Sequence, residues 1–233
     1  MDEAGYFLLN VHNRLEAHYD LDRWHWREET TPLEVGLGAI LVQHTSWTNV
    51  ERALQALRDA GALDIDALAA LTEEELAILV RPVGTPLTKA RRVQTFVSMV
   101  LASGGFEGLF ARPETELRRL LLATSGIGPE TADVILLYAA RVPAIVHDAY
   151  TTRLFRRLGI GPESDSYDSW RAWLDERLPA DPAFRRRHHA AIVVHCKETC
   201  RARPKCTTCP LLDICTFGSA LLSRPTPESI AIP

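Results

Sequence analysis

Apolar side chains recur along most of this chain at the three- and four-residue spacing of a single helix face. The first apolar stripe consists of Tyr6, Phe7, Leu8, Val11 and Leu15. A second stripe includes Leu54 and Leu57. No segment shows the sustained two-residue alternation that a half-buried strand requires. The pattern therefore predicts an all-α fold.

Helix-start signals in the sequence mark where two of the predicted helices begin. Thr72-x-x-Glu75 has the form of a capping box ahead of an apolar group, which consists of Leu76, Ile78, Leu79 and Val80. Pro113, followed by Glu114 and Glu116, opens another predicted helix, whose buried side would carry Leu117, Leu120 and Leu121. The segment from Ser223 to Pro233 contains three prolines and is predicted to be a surface extension.

Composition and charge narrow the class of protein. The chain has 233 residues, of which 46% are hydrophobic, enough for one large or two small domains. Apolar runs such as 134–137 are too short to cross a bilayer, and the N-terminus does not resemble a signal peptide. We therefore expect a cytoplasmic protein that does not enter a membrane.

The charges that sum to −4 are distributed unevenly along the chain. Residues 1–80 carry 15 acidic and 5 basic side chains, whereas residues 81–233 carry 15 acidic and 21 basic ones. The basic residues occur in five clusters: Lys89/Arg91/Arg92, Arg118/Arg119, Arg153/Arg156/Arg157, Arg185/Arg186/Arg187 and Arg201/Arg203/Lys205. Each cluster alone is typical of a solvated helix face, but together they favour a polyanionic partner.

Four cysteines lie close together near the C-terminus, at Cys200, Cys206, Cys209 and Cys215. A short loop can bring four thiolates together, as a tetrahedral metal ion or an iron–sulfur cluster requires. Two disulfides would need an oxidising compartment, which nothing in the sequence indicates. The spacing suits zinc and [4Fe–4S] equally. Cys196, one helical turn earlier, is expected to be a buried thiol outside the site.

A tight glycine turn, Ser125-Gly126-Ile127-Gly128-Pro129, separates two apolar helical patterns. Glycine permits positive φ and close approach, and proline suits the first position of a helix. Such a turn presents backbone N–H groups that can bind a phosphate, although many helical hairpins need one only to pack. Asp148 follows Gly128 by twenty residues at a position typical of a helix N-cap.

These features together resemble the endonuclease III branch of the helix–hairpin–helix (HhH-GPD) DNA glycosylases. The resemblance is carried by residues 125–133, Asp148, the cysteine loop, and the segment 38–47 with Gln43, and it spans roughly residues 30 to 216. It implies two helical lobes with a DNA cleft between them. One lobe, residues 30–142, would be a six-helix barrel containing the hairpin. The other, residues 1–29 and 143–233, would hold a [4Fe–4S] cluster on the four cysteines.

The resemblance also implies a role for individual residues. Gly126 and Gly128 would bind a phosphate of double-stranded DNA, and Gln43 would fill the space left by an extruded base. Asp148 would stabilise the positive charge on the sugar or activate water. Thr85 stands where the family places a large apolar wedge, so intercalation would be weaker or made differently. The enzyme would act as a monomer on DNA that carries a damaged or mispaired base.

Glu130 is the main departure from the family pattern. Bifunctional members have a lysine two positions after the hairpin glycine, which attacks the sugar through a Schiff base. A carboxylate cannot form an imine, so the resemblance with this change predicts a monofunctional glycosylase that uses water. Two alternatives stay open within the family: a DNA-binding member without catalysis, and a bifunctional enzyme that uses another amine. A zinc-stapled helical protein unrelated to DNA is a third.

The preferred lesion is the least constrained prediction. Trp24, Trp26 and Trp47 are candidates to stack on an extruded base, and they fit core packing equally well. Together with the absent lysine, they are similar to the 3-methyladenine-type members of the branch. His147 is a further candidate for the base pocket, although a structural histidine fits the position better. Uracil, thymine opposite guanine and oxidised pyrimidines stay open.

Overall fold

The computed structural model describes residues 1–223, and every regular element within them is a helix. The chain forms two compact units. The hairpin unit is His25–Val146, and the terminal unit combines Met1–Trp24 with the described residues from His147 onward. The predicted all-α class and its two helical lobes are confirmed. The predicted tail falls mostly on residues 224–233, outside the described part of the chain.

Within residues 1–223 there are thirteen α-helices, several of them short. They are α1 (Glu3–His18), α2 (Pro32–Leu41), α3 (Trp47–Asp59), α4 (Ile65–Ala70), α5 (Glu73–Leu79), α6 (Pro86–Ala102), α7 (Gly105–Phe110), α8 (Glu114–Ala123), α9 (Pro129–Val134), α10 (Ala149–Leu158), α11 (Tyr167–Asp175), α12 (Pro182–Glu198) and α13 (Thr216–Leu222). A π-helical turn, Ile135–Ala139, continues α9. None of these helices is long and apolar enough to traverse a bilayer.

The hairpin unit is built around α2. This helix is buried at Leu33 and at every residue of 35–41, because its sequence is apolar on all sides. It packs against α6, α9 and the π-helical turn. Thr31 and Glu34 form a capping box at its start, and Thr72 and Glu75 form the predicted capping box of α5.

In the terminal unit, α12 has the central position. Helices α1 and α10 both pack against it, and α13 packs against α10. Residues 188–193 of α12 are buried without interruption, including two histidines. The unit therefore contains an unusual number of enclosed polar rings, one of which lies beside Asp148.

Two apolar positions in the predicted stripes face solvent. Tyr6 is 66% exposed although Leu8, Val11 and Leu15 are completely buried, and Ile78 is 72% exposed beside the buried Leu76. Each exposed residue lies two positions from a buried one, about 200° around the helix, and so on the opposite face. The prediction that these two residues belong to the buried stripes is wrong.

Candidate active site and DNA interface

The glycine turn joins α8 to α9, and its two glycines differ in backbone conformation and in the space around them. Gly126 has a φ of +90°, and a Cβ atom there would overlap the side chain of Arg92. Gly128 is the N-cap of α9 with a φ of −89°, and a Cβ there would meet nothing within 4 Å. The prediction of positive φ is right for Gly126 and wrong for Gly128. The chain itself does not need glycine at 128, which leaves room for an external group at a helix N-terminus.

This difference gives a matched pair of variants. Gly126→Ala should destabilise the fold by about 1–3 kcal/mol, because alanine strains a left-handed backbone. Gly128→Ala should leave the melting temperature unchanged and weaken DNA binding by about 1.5–3 kcal/mol, the value of a hydrogen bond to a charged group. Thermal melting and fluorescence anisotropy with a duplex measure the two effects. Unaltered DNA affinity in Gly128→Ala would contradict a phosphate site at this turn.

A buried ion pair holds the hairpin together. Asp133 on α9 is fully buried and accepts two hydrogen bonds from Arg118 of α8, at 2.8 Å from Nε and 3.1 Å from Nη2. The bidentate geometry fixes the two helices relative to each other. The sequence had placed Arg118 among DNA-binding candidates. Nothing in the spacing along the chain indicates that this arginine has a buried partner.

Gln43 lies at the end of α2, where its side chain is bound to the hairpin. Its Nε2 donates to the carbonyl of Gly126 and to Oγ1 of Thr131, both at 3.2 Å, and its Oε1 accepts from Arg92. Filling the space of an extruded base would require these bonds to break. That role stays a prediction. The hydrogen bonds give Gln43 a second role, because they support the glycine turn.

Lys89 is a buried cation that sequence reasoning treated as a surface residue. Its Nζ donates to the carbonyls of Ile40, Leu41 and Gln43 at 3.1, 2.9 and 2.7 Å. Burial, with the Arg92 guanidinium nearby, lowers the pKa of Lys89 to about 8. The ammonium uses its three donors to cap the C-terminus of α2.

Thr85 and Glu130 are exposed positions on the hairpin unit. Thr85 precedes α6 with a φ of +41°, a left-handed conformation that is a genuine outlier for a β-branched residue. Such outliers cluster at binding sites and switch regions. Glu130 lies in the first turn of α9, two residues after the open glycine. Glu130 therefore presents a carboxylate on the surface of this unit.

Asp148 is the N-cap of α10, as its sequence position predicts. Its Oδ1 accepts hydrogen bonds from the backbone N and from Oγ1 of Thr151, each at 2.8 Å. Its Oδ2 lies 3.8 Å from Nε2 of His189. Burial raises the pKa of Asp148, but the nearby His189 side chain and the hydrogen bonds from Thr151 outweigh burial and lower this pKa overall. The site therefore holds an ionised carboxylate in an enclosed position, as stabilisation of a cation requires.

The aromatic candidates occupy two separate environments. In the terminal unit, Trp24 lies edge-on to His189, and His147 stacks on Trp170 at 5.3 Å while its Nε2 lies 2.7 Å from Oγ1 of Thr152. Burial lowers the pKa of His147. These contacts favour a packing role for His147.

In the hairpin unit, Trp26 contacts Trp47 and Tyr138 with ring centroids 5.6 and 4.8 Å apart. His25 stacks on Trp47 at 3.5 Å. One face of Trp47 is therefore already covered by this chain. His25 is a member of the aromatic cluster that sequence reasoning missed.

The four cysteines line one cavity, whose walls include Leu154, Leu158 and Leu211. Two of the sulfurs each have a hydrogen-bond donor nearby. Arg157 Nη1 lies 3.2 Å from Sγ of Cys200, and the N–H of Gly218 donates to Sγ of Cys215 at 3.3 Å. Residues 1–223 contain no group of three or more His, Cys, Asp or Glu side chains placed to hold a metal ion. The predicted cluster ligands therefore stay a prediction.

The thiol environments differ within this cavity. A hydrogen bond from Cys196, together with His195 and Arg157, lowers the pKa of Cys200 to about 4, whereas burial raises the pKa of Cys206 and Cys209. Cys196 does not line the cavity, and its Sγ lies 3.6 Å from the carbonyl of Tyr150. That Cys196 is not a ligand stays a prediction.

Intrachain contacts hold members of all five basic clusters. These contacts include Arg91–Glu73, Arg118–Asp133, Arg156–Asp165, Arg185–Asp175 and the bond from Arg201 to the carbonyl of Lys197. Arg203 and Lys205 are exposed on the loop between the first two cysteines. Members of the basic clusters thus also stabilise the fold through contacts within the chain. A single basic face that binds DNA stays a prediction.

The described residues thus combine a glycine-turn hairpin, an enclosed carboxylate at a helix N-cap and a four-cysteine loop. Residues 37–180 match the model of the HhH-GPD superfamily base excision DNA repair proteins. The chain belongs to this family, and within it to the endonuclease III-like DNA glycosylases of base excision repair. Its partner is DNA.

Three similar proteins show how far the likeness extends. A candidate DNA repair glycosylase of Methanocaldococcus jannaschii is 37% identical, over 89% of this chain and 95% of the relative. A structure of an endonuclease III–DNA complex has a TM-score of 0.75 and 25% identity, over 94% of this chain and 96% of that one. A structure of an H. pylori 3-methyladenine DNA glycosylase bound to 1,N6-ethenoadenine has a TM-score of 0.70 and 26% identity, over 84% and 98%.

Proposed function

We propose that this chain is a monofunctional DNA glycosylase that hydrolyses the N-glycosidic bond of a damaged base. The observation that carries the proposal is the enclosed, ionised carboxylate of Asp148. The exposed Glu130 adds to it, because the resemblance implies a lysine at this position in bifunctional members. As the bond from the base to C1′ breaks, its electron pair leaves with the base. Asp148 stabilises the resulting sugar cation. Water then adds to C1′, and the proton that it loses balances the one taken up by the departed base.

The DNA contacts in this proposal begin at the hairpin. The open position at Gly128 would receive a phosphate oxygen, while Gly126 and Gln43 keep the turn in place. Thr85 would contact the DNA at its strained turn. A short polar side chain there makes a weaker wedge than a large apolar one. Extrusion of the base would therefore depend more on phosphate contacts than on intercalation.

For the substrate, we propose an alkylated or otherwise modified purine. The similar H. pylori enzyme is named for 3-methyladenine and was crystallised with an ethenoadenine. The hairpin unit offers Trp26, Trp47 and His25 as a group of aromatic rings, and aromatic faces bind flat and electron-poor bases well. We place the enzyme, as a monomer, at chromosomal DNA in the cytoplasm of a bacterium or archaeon.

We also propose that Cys200, Cys206, Cys209 and Cys215 hold a [4Fe–4S] cluster. The cluster would cross-link the loop and would supply a redox centre whose potential depends on hydrogen bonds to the sulfurs. In this structure those donors come from Arg157 and Gly218.

Metal analysis tests the cluster proposal directly. The purified protein should be brown, with about four iron atoms per chain, the content of one [4Fe–4S] cluster. Cys200→Ala should lose the iron and the visible absorption, whereas Cys196→Ala should keep both, because Cys196 lies outside the cavity. Stoichiometric zinc without iron, or iron lost only in Cys196→Ala, would refute the assignment.

A second candidate is a DNA-binding member without catalysis. The absent lysine and the small Thr85 favour it, whereas the enclosed, ionised Asp148 favours an enzyme. The other alternative needs a different amine, and Lys89 has the required low pKa. Its three hydrogen bonds to backbone carbonyls, however, occupy it structurally. Base release from duplexes with alkylated, deaminated, oxidised and mismatched bases separates these functions.

A further inference from the structure

The two carboxylate oxygens of Asp148 have different surroundings. Oδ1 is fully engaged by Thr151, which donates from both its backbone N and its Oγ1. Oδ2 lies 3.8 Å from Nε2 of His189. Since Oδ1 already caps α10, Oδ2 is the oxygen with lone pairs left for chemistry. The group next to Oδ2 can therefore affect the orientation and the charge of this carboxylate.

His189 comes from a different part of the chain and is firmly held. It lies in the middle of α12, the helix against which α10 packs. Its side chain is 8% exposed and that of Asp148 is 11% exposed, so water screens their interaction little. Trp24 lies edge-on to the imidazole, with ring centroids 5.7 Å apart and an interplanar angle of 89°.

We propose that His189 is a positioning residue for Asp148, donating from Nε2 to Oδ2 while the base is released. The inference rests on the proposed catalytic role of Asp148. The distance of 3.8 Å exceeds hydrogen-bond range by less than 1 Å. Hydrogen bonds in active sites often tighten only when substrate binds. Two anchors, Thr151 on Oδ1 and His189 on Oδ2, would then fix the plane of the carboxylate.

The same contact affects the charge of Asp148. His189 lowers the pKa of this carboxyl group against the effect of burial, so losing His189 should raise it. Among the described residues, the titratable groups that interact with the pair include His147, Tyr150, His188 and Cys196. Arg153 lies over the ring of Tyr150 and donates to the carbonyl of Cys196. A substitution at 189 removes none of these groups, and the His188→Leu variant reports separately on the histidine that His189 itself influences.

The test compares His189→Leu, which removes the donor, with His189→Gln, which keeps an N–H donor without the ring. His188→Leu is the control, because it alters a neighbouring buried histidine whose ring packs beside Phe184 and Phe155. Two quantities are measured in the full chain. One is the single-turnover rate of base release between pH 4 and 8 on the duplex that wild type processes fastest. The other is the ¹³C titration of the Asp148 carboxyl, assigned by its loss in Asp148→Asn.

His189→Leu should slow base release by about 10- to 100-fold, the effect of displacing a reacting group by about 1 Å. The midpoint of the acid limb and of the carboxyl titration should both move to higher pH. His189→Gln should recover much of the rate, and His188→Leu should move neither midpoint. Unchanged titration of Asp148 in His189→Leu, or equal losses in the leucine and glutamine variants, would overturn the proposal. If wild type releases no base, the proposed function fails, while the carboxyl titration still decides whether His189 controls Asp148.

Discussion

Asp148→Asn is expected to abolish base release while leaving the fold and DNA affinity intact. Asparagine is also a good N-cap, and its side-chain oxygen can accept the two bonds from Thr151. What it lacks is negative charge. Because the carboxylate stabilises a cation in an enclosed site, its loss should slow the reaction on the order of a thousandfold or more. Single-turnover release of the free base measures the effect.

Controls on the same variant separate chemistry from structure. The melting temperature and the anisotropy of a bound duplex should match wild type. A variant that melts early would show that the cap needs the charge, and Asp148→Ser, another good cap, would then replace it. Undiminished base release in a folded Asp148→Asn protein would show that the catalytic assignment is wrong.

The second large effect is on covalent chemistry. Borohydride should trap no adduct between wild type and DNA, because Glu130 cannot form an imine and the buried Lys89 is held by three carbonyls. Product strands should stay intact until alkali is added. Glu130→Lys restores an amine at an exposed position in the first turn of α9, so it should yield a trapped adduct and strand cleavage.

Two controls make that result interpretable. Glu130→Gln removes the charge without adding a nucleophile and should behave like wild type. Lys89→Met should lose stability, because the capping bonds at the end of α2 disappear. Efficient trapping by wild type would show that another amine acts as nucleophile, and the enzyme would then be bifunctional.

The sequence predictions that the structure confirms rest on short local patterns. A glycine turn followed by proline, an aspartate before a helix and a capping box are each determined within a few residues, and the structure shows all three. Such signals need no tertiary information, because the bonds they form join residues three or four apart. They located the hairpin and the cap at Asp148.

Contacts between distant segments were not predictable in the same way. Gln43 meets the hairpin 83 residues later, Lys89 reaches back 48 residues to the end of α2, and His189 faces Asp148 from another helix. Gln43 and Lys89 are polar, so the sequence suggested DNA-binding roles for them, and it assigned no role to His189. Only packing shows that they support the site. The solvent-facing Tyr6 and Ile78 were misassigned because neighbouring apolar residues do not share a helix face.

The most direct test of the proposed function is base release by wild-type protein from a panel of duplexes. The panel should include 1,N6-ethenoadenine, methylated purines, uracil, thymine opposite guanine and an oxidised pyrimidine, each assayed by chromatography of free base and by gel analysis of the strand. The proposal predicts release of a modified purine as free base, leaving an abasic strand that breaks only after alkali treatment. Tight binding of every duplex without release of any base would contradict it.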